Sequence, residues 1–287
     1  MRHEALKAAI RWSGALVLAL VLAAAPASAP AYSRDGKEDG NEVEEQLQRI
    51  NTQLMELQTK EFDLTMKIQQ AQQKAQQGLE DPGKATQQLA QGKRSRELMR
   101  YKAVLVASAQ KVQQFDRRML PLLKQAKGLQ KKQNQVEKPV QVMIDQTVAR
   151  VEAKHRGNLE KIARFYKQAA EHGQALRIYR EIYSMIPEAE RDKNEDLVKS
   201  IGDLYAKGGN PKGALNFYNK IFEAKKPKDR YKDKNLAKTV AELHVKTGNG
   251  RAALAIYRGL LDQIPNDKKH KGEREGILKK INALTSR

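Results

Sequence analysis

A signature returns every 39 residues between positions 158 and 265, and nothing else in the chain restricts its fold as much. Ala is followed four residues later by Tyr at Ala175 and Tyr179, at Ala214 and Tyr218, and at Ala253 and Tyr257. Nine residues before each Ala stand Tyr166, Tyr205 and His244. Four before those stand Ile162, Ile201 and Val240, each followed by a small residue, Ala163, Gly202 or Ala241. Each unit closes near a proline, Pro187, Pro227 or Pro265. Self-similarity at this interval implies helical or strand units that stack to bury a shared core. The spacing within a unit is helical. Leu159, Ile162, Ala163 and Tyr166 mark one face of a first helix, and Ala175, Tyr179 and Ile182 mark one face of a second. Glu171-His172-Gly173 is the turn between them. The small residue lets the two helices approach closely, and the aromatic fills the space beside it.

These residues resemble the tetratricopeptide repeat (TPR) family. Its pattern W-x2-L-G-x2-Y…A-x3-F…P reads in the middle unit as Val198-x2-Ile201-Gly202-x2-Tyr205…Ala214-x3-Tyr218…Pro227. The lead Trp is missing from every unit, and the third has Ala237 and His244 at the first and fourth pattern positions. The length beyond the family's usual unit of about 34 residues falls in the charged connections 188–194 and 225–233. The resemblance implies an α-solenoid of three repeats over 157–271. A capping helix over 272–287 closes it, with Ile277, Leu278, Ile281 and Leu284 on one face.

At the other end, residues 1–31 read as a secretory signal peptide. Arg2, Lys7 and Arg11 precede an apolar run over 15–25, and small residues over 26–31 offer cleavage after Ala31 or Ala27. The run is shorter than the roughly 18–20 residues of a membrane span; the alternative is an uncleaved inner-membrane anchor. The chain has no cysteine, which excludes disulfides, thiolate chemistry and a lipoprotein anchor. The expected location is the periplasm, with residues 32–41 a flexible N-terminus.

Residues 42–138 read as a coiled coil. Val43, Leu47, Ile50, Leu54, Leu57, Leu64, Ile68, Ala71 and Ala75 alternate by four and three, with Glu61 at the one missing step. Gly78-Leu79-Glu80-Asp81-Pro82-Gly83 interrupts the seam, because two Gly and a Pro are costly inside a helix. A second seam follows through Leu98, Tyr101, Leu105, Ser108, Val112, Phe115, Met119, Leu122, Ala126, Leu129 and Val136. Folding the chain at 78–83 gives an antiparallel hairpin in which Val43 faces Met119, Leu47 faces Phe115 and Leu64 faces Leu98. Glu61 then meets the Tyr101 hydroxyl or sets the register as a polar layer. Residues 41–77 carry four Lys/Arg against six Asp/Glu and residues 84–138 carry fourteen against three, which suits such a pair. Pro121 predicts a kink, and residues 139–156 a separate connecting helix. Met55, Val104 and Leu123 flank the seams and offer apolar surface for homo-oligomerisation through 42–138. The expected fold is therefore all-α: an N-terminal antiparallel coiled-coil hairpin, a TPR α-solenoid and a C-terminal capping helix.

Chemistry-bearing patterns are scarce. His3, His155, His172, His244 and His270 have neither metal-ligand spacing nor a neighbouring carboxylate at such spacing. His244, where its siblings are Tyr166 and Tyr205, is expected to be a packing residue with a satisfied ring. Gly208-Gly209-Asn210-Pro211 is an inter-helix turn rather than a phosphate loop, and no Ser sits in a nucleophile elbow. No catalytic residue, metal site or cofactor is expected, so an enzyme is not. The net charge of +20 attracts polyanions, and export argues against nucleic acid as partner.

In the TPR family the first helix of each unit lines a concave groove. The resemblance carries that role to Arg164, Lys199, Asp203, Lys207, Lys238, Glu242 and Lys246, a basic track of mixed sign suited to an acidic peptide or a C-terminal carboxylate. The domain order is similar to the periplasmic coiled-coil/TPR coordinator of the Tol–Pal system, which implies a trimerising coiled coil and a TPR domain that binds a Tol component. The expected function is an exported scaffold that binds an envelope protein in the groove and oligomerises or spaces through the coiled coil. The alternative is a basic protein that binds a cell-wall or outer-membrane polyanion; a third possibility is a holdase acting through the hairpin tip.

Overall fold

The computed structural model describes residues 37–227 and 229–286, with side chains from residue 41 onward. The signal-peptide expectation falls outside these residues. The chain is all-α, with no strand among the described residues. Helix α1 spans Lys37–Gln77 and starts inside the segment expected to be flexible. Its seam is buried at Val43, Leu47, Ile50, Leu54, Glu61, Ile68 and Ala75.

The expected turn at 78–83 is longer, running from Gly78 to Ser95. A 3-10 turn over Pro82–Lys84 is capped by the Asp81 carboxylate. It leads into α2 (Ala85–Ala90), whose Ala85 and Leu89 are buried against Ala75, Leu98 and Tyr101. Ser95 accepts from the Leu98 N–H and starts α3 (Arg96–Asp116). The longer turn resets the register. Gln76, not Glu61, donates to the Tyr101 hydroxyl (3.3 Å), a displacement of 15 residues, close to two heptads. Val43, Leu47, Ile50 and Leu54 accordingly pack with Met119, Leu122, Ala126 and Leu129. A shift by whole heptads keeps both seams apolar, so the seams alone do not fix it. The expected kink at Pro121 is a break at Arg117-Arg118. Helix α4 (Met119–Lys132) starts after it and holds Pro121 in its first turn, where the missing N–H has no helical acceptor to lose.

The largest departure is α5. The expected connecting helix at 139–156 and the first helix of the first repeat are one helix, Lys138–Gln168. It packs along α1, α3 and α4. The hairpin is therefore part of a three-helix bundle. Val140, Ile144, Val148 and Val151 of α5 are buried in it, and the buried face continues through His155 and Asn158 into Leu159 and Ile162. Val104 and Leu123 are covered as well, whereas Met55 stays 49% exposed.

From α5 onward, helices pack in sequence order. These are α6 (His172–Met185), α8 (Glu195–Lys207), α9 (Pro211–Ala224), α10 (Lys234–Lys246), α11 (Gly250–Asp262) and α12 (Lys271–Thr285), with the short α7 (Glu188–Arg191) in the first connection. The 39-residue interval reappears in their termini. Asn194 and Asp233 cap α8 and α10; Asn210 and Asn249 cap α9 and α11. Arg191 donates to the carbonyls of Ile186 and Ser184, and Arg230 to those of Lys225 and Glu223. Each thus places a cation on the last carbonyls of the preceding helix, where the dipole favours it. In α12 only Ile277 is buried; Ile281 and Leu284 pack beside it, but Leu278 is 40% exposed, off the expected face.

The backbone between paired helices turns left-handed at Ala170 (φ 58°), Gly209 (75°) and Gly248 (80°), again 39 apart. Only the first unit places a Cβ there. Left-handed backbone costs a non-glycine residue roughly 1–2 kcal/mol, of which glycine's extra unfolded-state entropy returns roughly 0.5–1. Ala170→Gly is therefore expected to stabilise the protein by about 0.5–1 kcal/mol. The urea midpoint should rise at unchanged slope; a fall would contradict the assignment.

Candidate partner-binding groove

The buried face of α8 consists of Leu197, Val198, Ile201, Gly202 and Leu204, so helical geometry turns Lys199, Asp203 and Lys207 to the other side. On α10, burial of Leu236, Ala237, Val240, Ala241 and Leu243 does the same for Lys238, Glu242 and Lys246. Arg164 is the exposed counterpart on α5. The seven predicted residues thus share the outward faces of the three first helices, but they are not equally available.

Asp203 is half-buried and accepts a hydrogen bond from the Tyr218 hydroxyl of α9. Burial, then the hydrogen bond to Asp203, pushes that hydroxyl far above its ordinary pKa, so it stays a donor. Glu242 pairs with Lys280 of α12, and Lys280 also lies 5.5 Å from the Tyr257 ring centroid. Lys238 is bound by Glu273 of α12 at 2.8 Å, and Glu273 takes Lys234 as well, at 3.0 Å. The hydrogen bonds from Lys238 and Lys234 hold the Glu273 carboxyl below its usual range. Glu242 is therefore paired within the chain, whereas Asp203 keeps its charge and is engaged, among the described residues, only by a neutral donor. Arg164, Lys199, Lys207 and Lys246 are exposed, with no carboxylate at ion-pairing distance among the described residues. Of the seven residues, these four are the cations left without an ion-pair partner.

Tyr218, Glu273 and Lys280 were not legible as groove-shaping residues. A signal existed for two of them. The middle unit alone has Gly at the small position, which makes room for Tyr218, and Glu273 follows Lys234 by one 39-residue interval.

His244 departs from expectation. Its ring is half-buried, but Nδ1 is buried without a hydrogen-bond partner, as is Nδ1 of His172. Burial depresses both pKa values. The neutral ring is the folded form, so the stability it carries is present above the unfolded value of about 6.5 and declines as pH falls below it. His244→Tyr, restoring the residue of the other two units, is expected to flatten the decline in stability between about pH 7 and pH 5.5. Chemical unfolding across that range checks it; an unchanged slope would contradict the assignment.

Two further polar clusters lie in the bundle. Glu61 receives Lys154 (2.6 Å) and Lys161 (2.5 Å) of α5 rather than Tyr101. Burial alone would raise its pKa, but the two lysines hold it below the ordinary carboxylate value. Asp116, at the end of α3, lies 2.8 Å from His155 Nδ1 and accepts from Asn158 Nδ2 at 3.0 Å, all three buried. Among the described residues no group of three or more His, Cys, Asp or Glu could hold a metal ion, and no helix is long and apolar enough to cross a membrane. No protein-family model matches the chain, and no curated protein sequence does.

Proposed function

We propose that this chain is an exported, non-enzymatic adaptor whose TPR-like solenoid holds an acidic segment of an envelope protein. The carrying observation is the set of cations without an ion-pair partner among the described residues, Arg164, Lys199, Lys207 and Lys246, on faces where Glu242 is paired with Lys280 and Asp203 is hydrogen-bonded to Tyr218. A groove of this charge suits an acidic peptide in extended or helical form. The 39-residue spacing of caps, left-handed turns and C-terminal arginines supports the TPR assignment. The bundle serves as its N-terminal closure and as a spacer, and the Tol–Pal coordinator remains the family to which the domain order is similar. The buried carboxylates Glu61 and Asp116 are engaged by Lys154, Lys161, His155 and Asn158 as contacts between helices of the bundle.

Capture from detergent-solubilised envelopes with the full mature chain tests this. Washing at about 0.15 M and then about 0.5 M salt shortens the screening length from about 8 Å to roughly half that. One protein retained through the high-salt wash supports the adaptor. A mixture of anionic polymer, all lost in high salt, favours the second possibility, a polyanion-binding protein of the cell wall or outer membrane. One observation favours that alternative: residues 117–132 hold six Lys/Arg and no Asp/Glu.

A further inference from the structure

Helix α1 carries an apolar stripe that the bundle does not use. Met55, Phe62 and Met66 are 49%, 60% and 41% exposed, and their spacing of seven and four aligns them on one face. That face is uncharged from Gln48 through Thr52, Met55, Thr59, Phe62 and Met66 to Gln73. Three large exposed side chains in a row on a rigid helix mark a contact surface rather than scattered exposure.

The contacts of α1 show which way the stripe faces. Asn51 meets Arg150 of α5 at 3.2 Å, and Glu61 meets Lys154 and Lys161. Residue numbers rise together, so α1 runs parallel to α5. The first helices α5, α8 and α10 also run parallel to one another, because each is paired with an antiparallel second helix. Around α1, Leu54 and Leu57 turn to α4 and the rest of the bundle, and Asn51 marks the edge toward α5. At 100° per residue, Met55 and Phe62 come next round the helix beyond that edge, away from α3 and α4. This is the side on which α5 exposes Glu160 and Arg164.

We infer that α1 is a fourth ridge of the groove, one that no repeat supplies, and that the partner is an acidic segment carrying a block of large apolar side chains. The apolar block lies against Met55, Phe62 and Met66, and the carboxylates reach Lys199, Lys207 and Lys246. This rests on the groove assignment above and adds to it: charge selects the segment, and the α1 ridge fixes its direction and which acidic segments bind. Exposed Phe and Met beside a charged track suit such anchoring, since a few apolar contacts carry most of an interface's energy.

Panning a random 16-residue peptide display library on the full chain tests the inference. The selected peptides should be acidic with two or three apolar residues clustered toward one end. In Phe62→Ser/Met66→Ser, whose unfolding midpoint should match the parent because both side chains are exposed, their affinity should fall about tenfold or more. Acidic peptides lacking the apolar block should bind parent and variant alike. Lys207→Glu/Lys246→Glu should weaken both peptide classes. Selected peptides without an apolar block, no enrichment at all, or unchanged affinity in the serine variant would overturn the fourth ridge. Unchanged affinity in the lysine variant would overturn the groove itself, a separate failure.

Discussion

Replacing His155 with leucine should cost about 3–5 kcal/mol, because it leaves the Asp116 carboxylate in the bundle without its cation. Asp116 and His155 side chains are each 7% exposed and lie 2.8 Å apart, and Asn158 supplies only a neutral donor. The hydrogen bond to Asp116 raises the imidazole pKa against the opposing effect of burial; Glu181 also raises it and Lys127 lowers it. A raised folded pKa fixes the sign of the pH dependence. The contribution is fully present below the unfolded value of about 6.5 and is lost as pH rises through the higher folded value. His155→Leu should therefore be most destabilising near pH 6 and less so near pH 8.5, as followed by urea unfolding. Adding Asp116→Leu should recover much of the loss, since two apolar residues leave no buried charge. A pH-independent loss, or no recovery in the double variant, would show that packing alone accounts for the effect.

Gly202→Ala is expected to destabilise by about 1–3 kcal/mol despite alanine's better helix propensity. A Cβ at Gly202 would lie 2.9 Å from Cδ2 and Cε2 of the Tyr218 ring, and that residue is 4% exposed. Moving the ring also breaks its hydrogen bond to Asp203 and leaves that carboxylate without a partner on the outward face of α8. The substitution thus carries a second readout, weaker binding of acidic peptides, shared with Tyr218→Phe, which keeps the ring in place. In a Tyr218→Leu background most of the stability loss should vanish. Equal losses in both backgrounds would contradict the ring contact as its cause.

The repeats were legible because one period governs several independent features. Ala163, Gly202 and Ala241, the Asn and Asp caps, and the left-handed turns all recur at the interval that the Ala–Tyr spacing announces. The inter-helix turn of the first unit was misplaced by a few residues because Gly173 drew attention from Ala170, which adopts the left-handed backbone without being glycine. The hairpin register was degenerate by whole heptads, and only the packed α2 segment resolves it. The joining of 139–156 to the first repeat was hidden by Gly157, which lies within α5 without ending it. His155 and Asn158 occupy an otherwise apolar face, and only contact with Asp116, 39 and 42 residues away, explains them. The outward placement of the seven charged residues was readable from helical phase, whereas their pairing was not: it depends on Tyr218, Glu273 and Lys280, which arrive from neighbouring helices.

The most direct test of the proposed groove compares charge reversal on the outward face of a first helix with the same change on a second helix. Lys199→Glu/Lys207→Glu changes the outward face of α8, and Arg177→Glu/Arg180→Glu changes exposed positions of α6, a second helix, by the same total charge. Affinity of the full chain for the envelope protein it captures, measured at about 0.15 M salt, is predicted to fall about a hundredfold in the first variant and less than about threefold in the second. Equal losses in the two would contradict a shaped groove and make the bound anion a ligand of the whole charged surface.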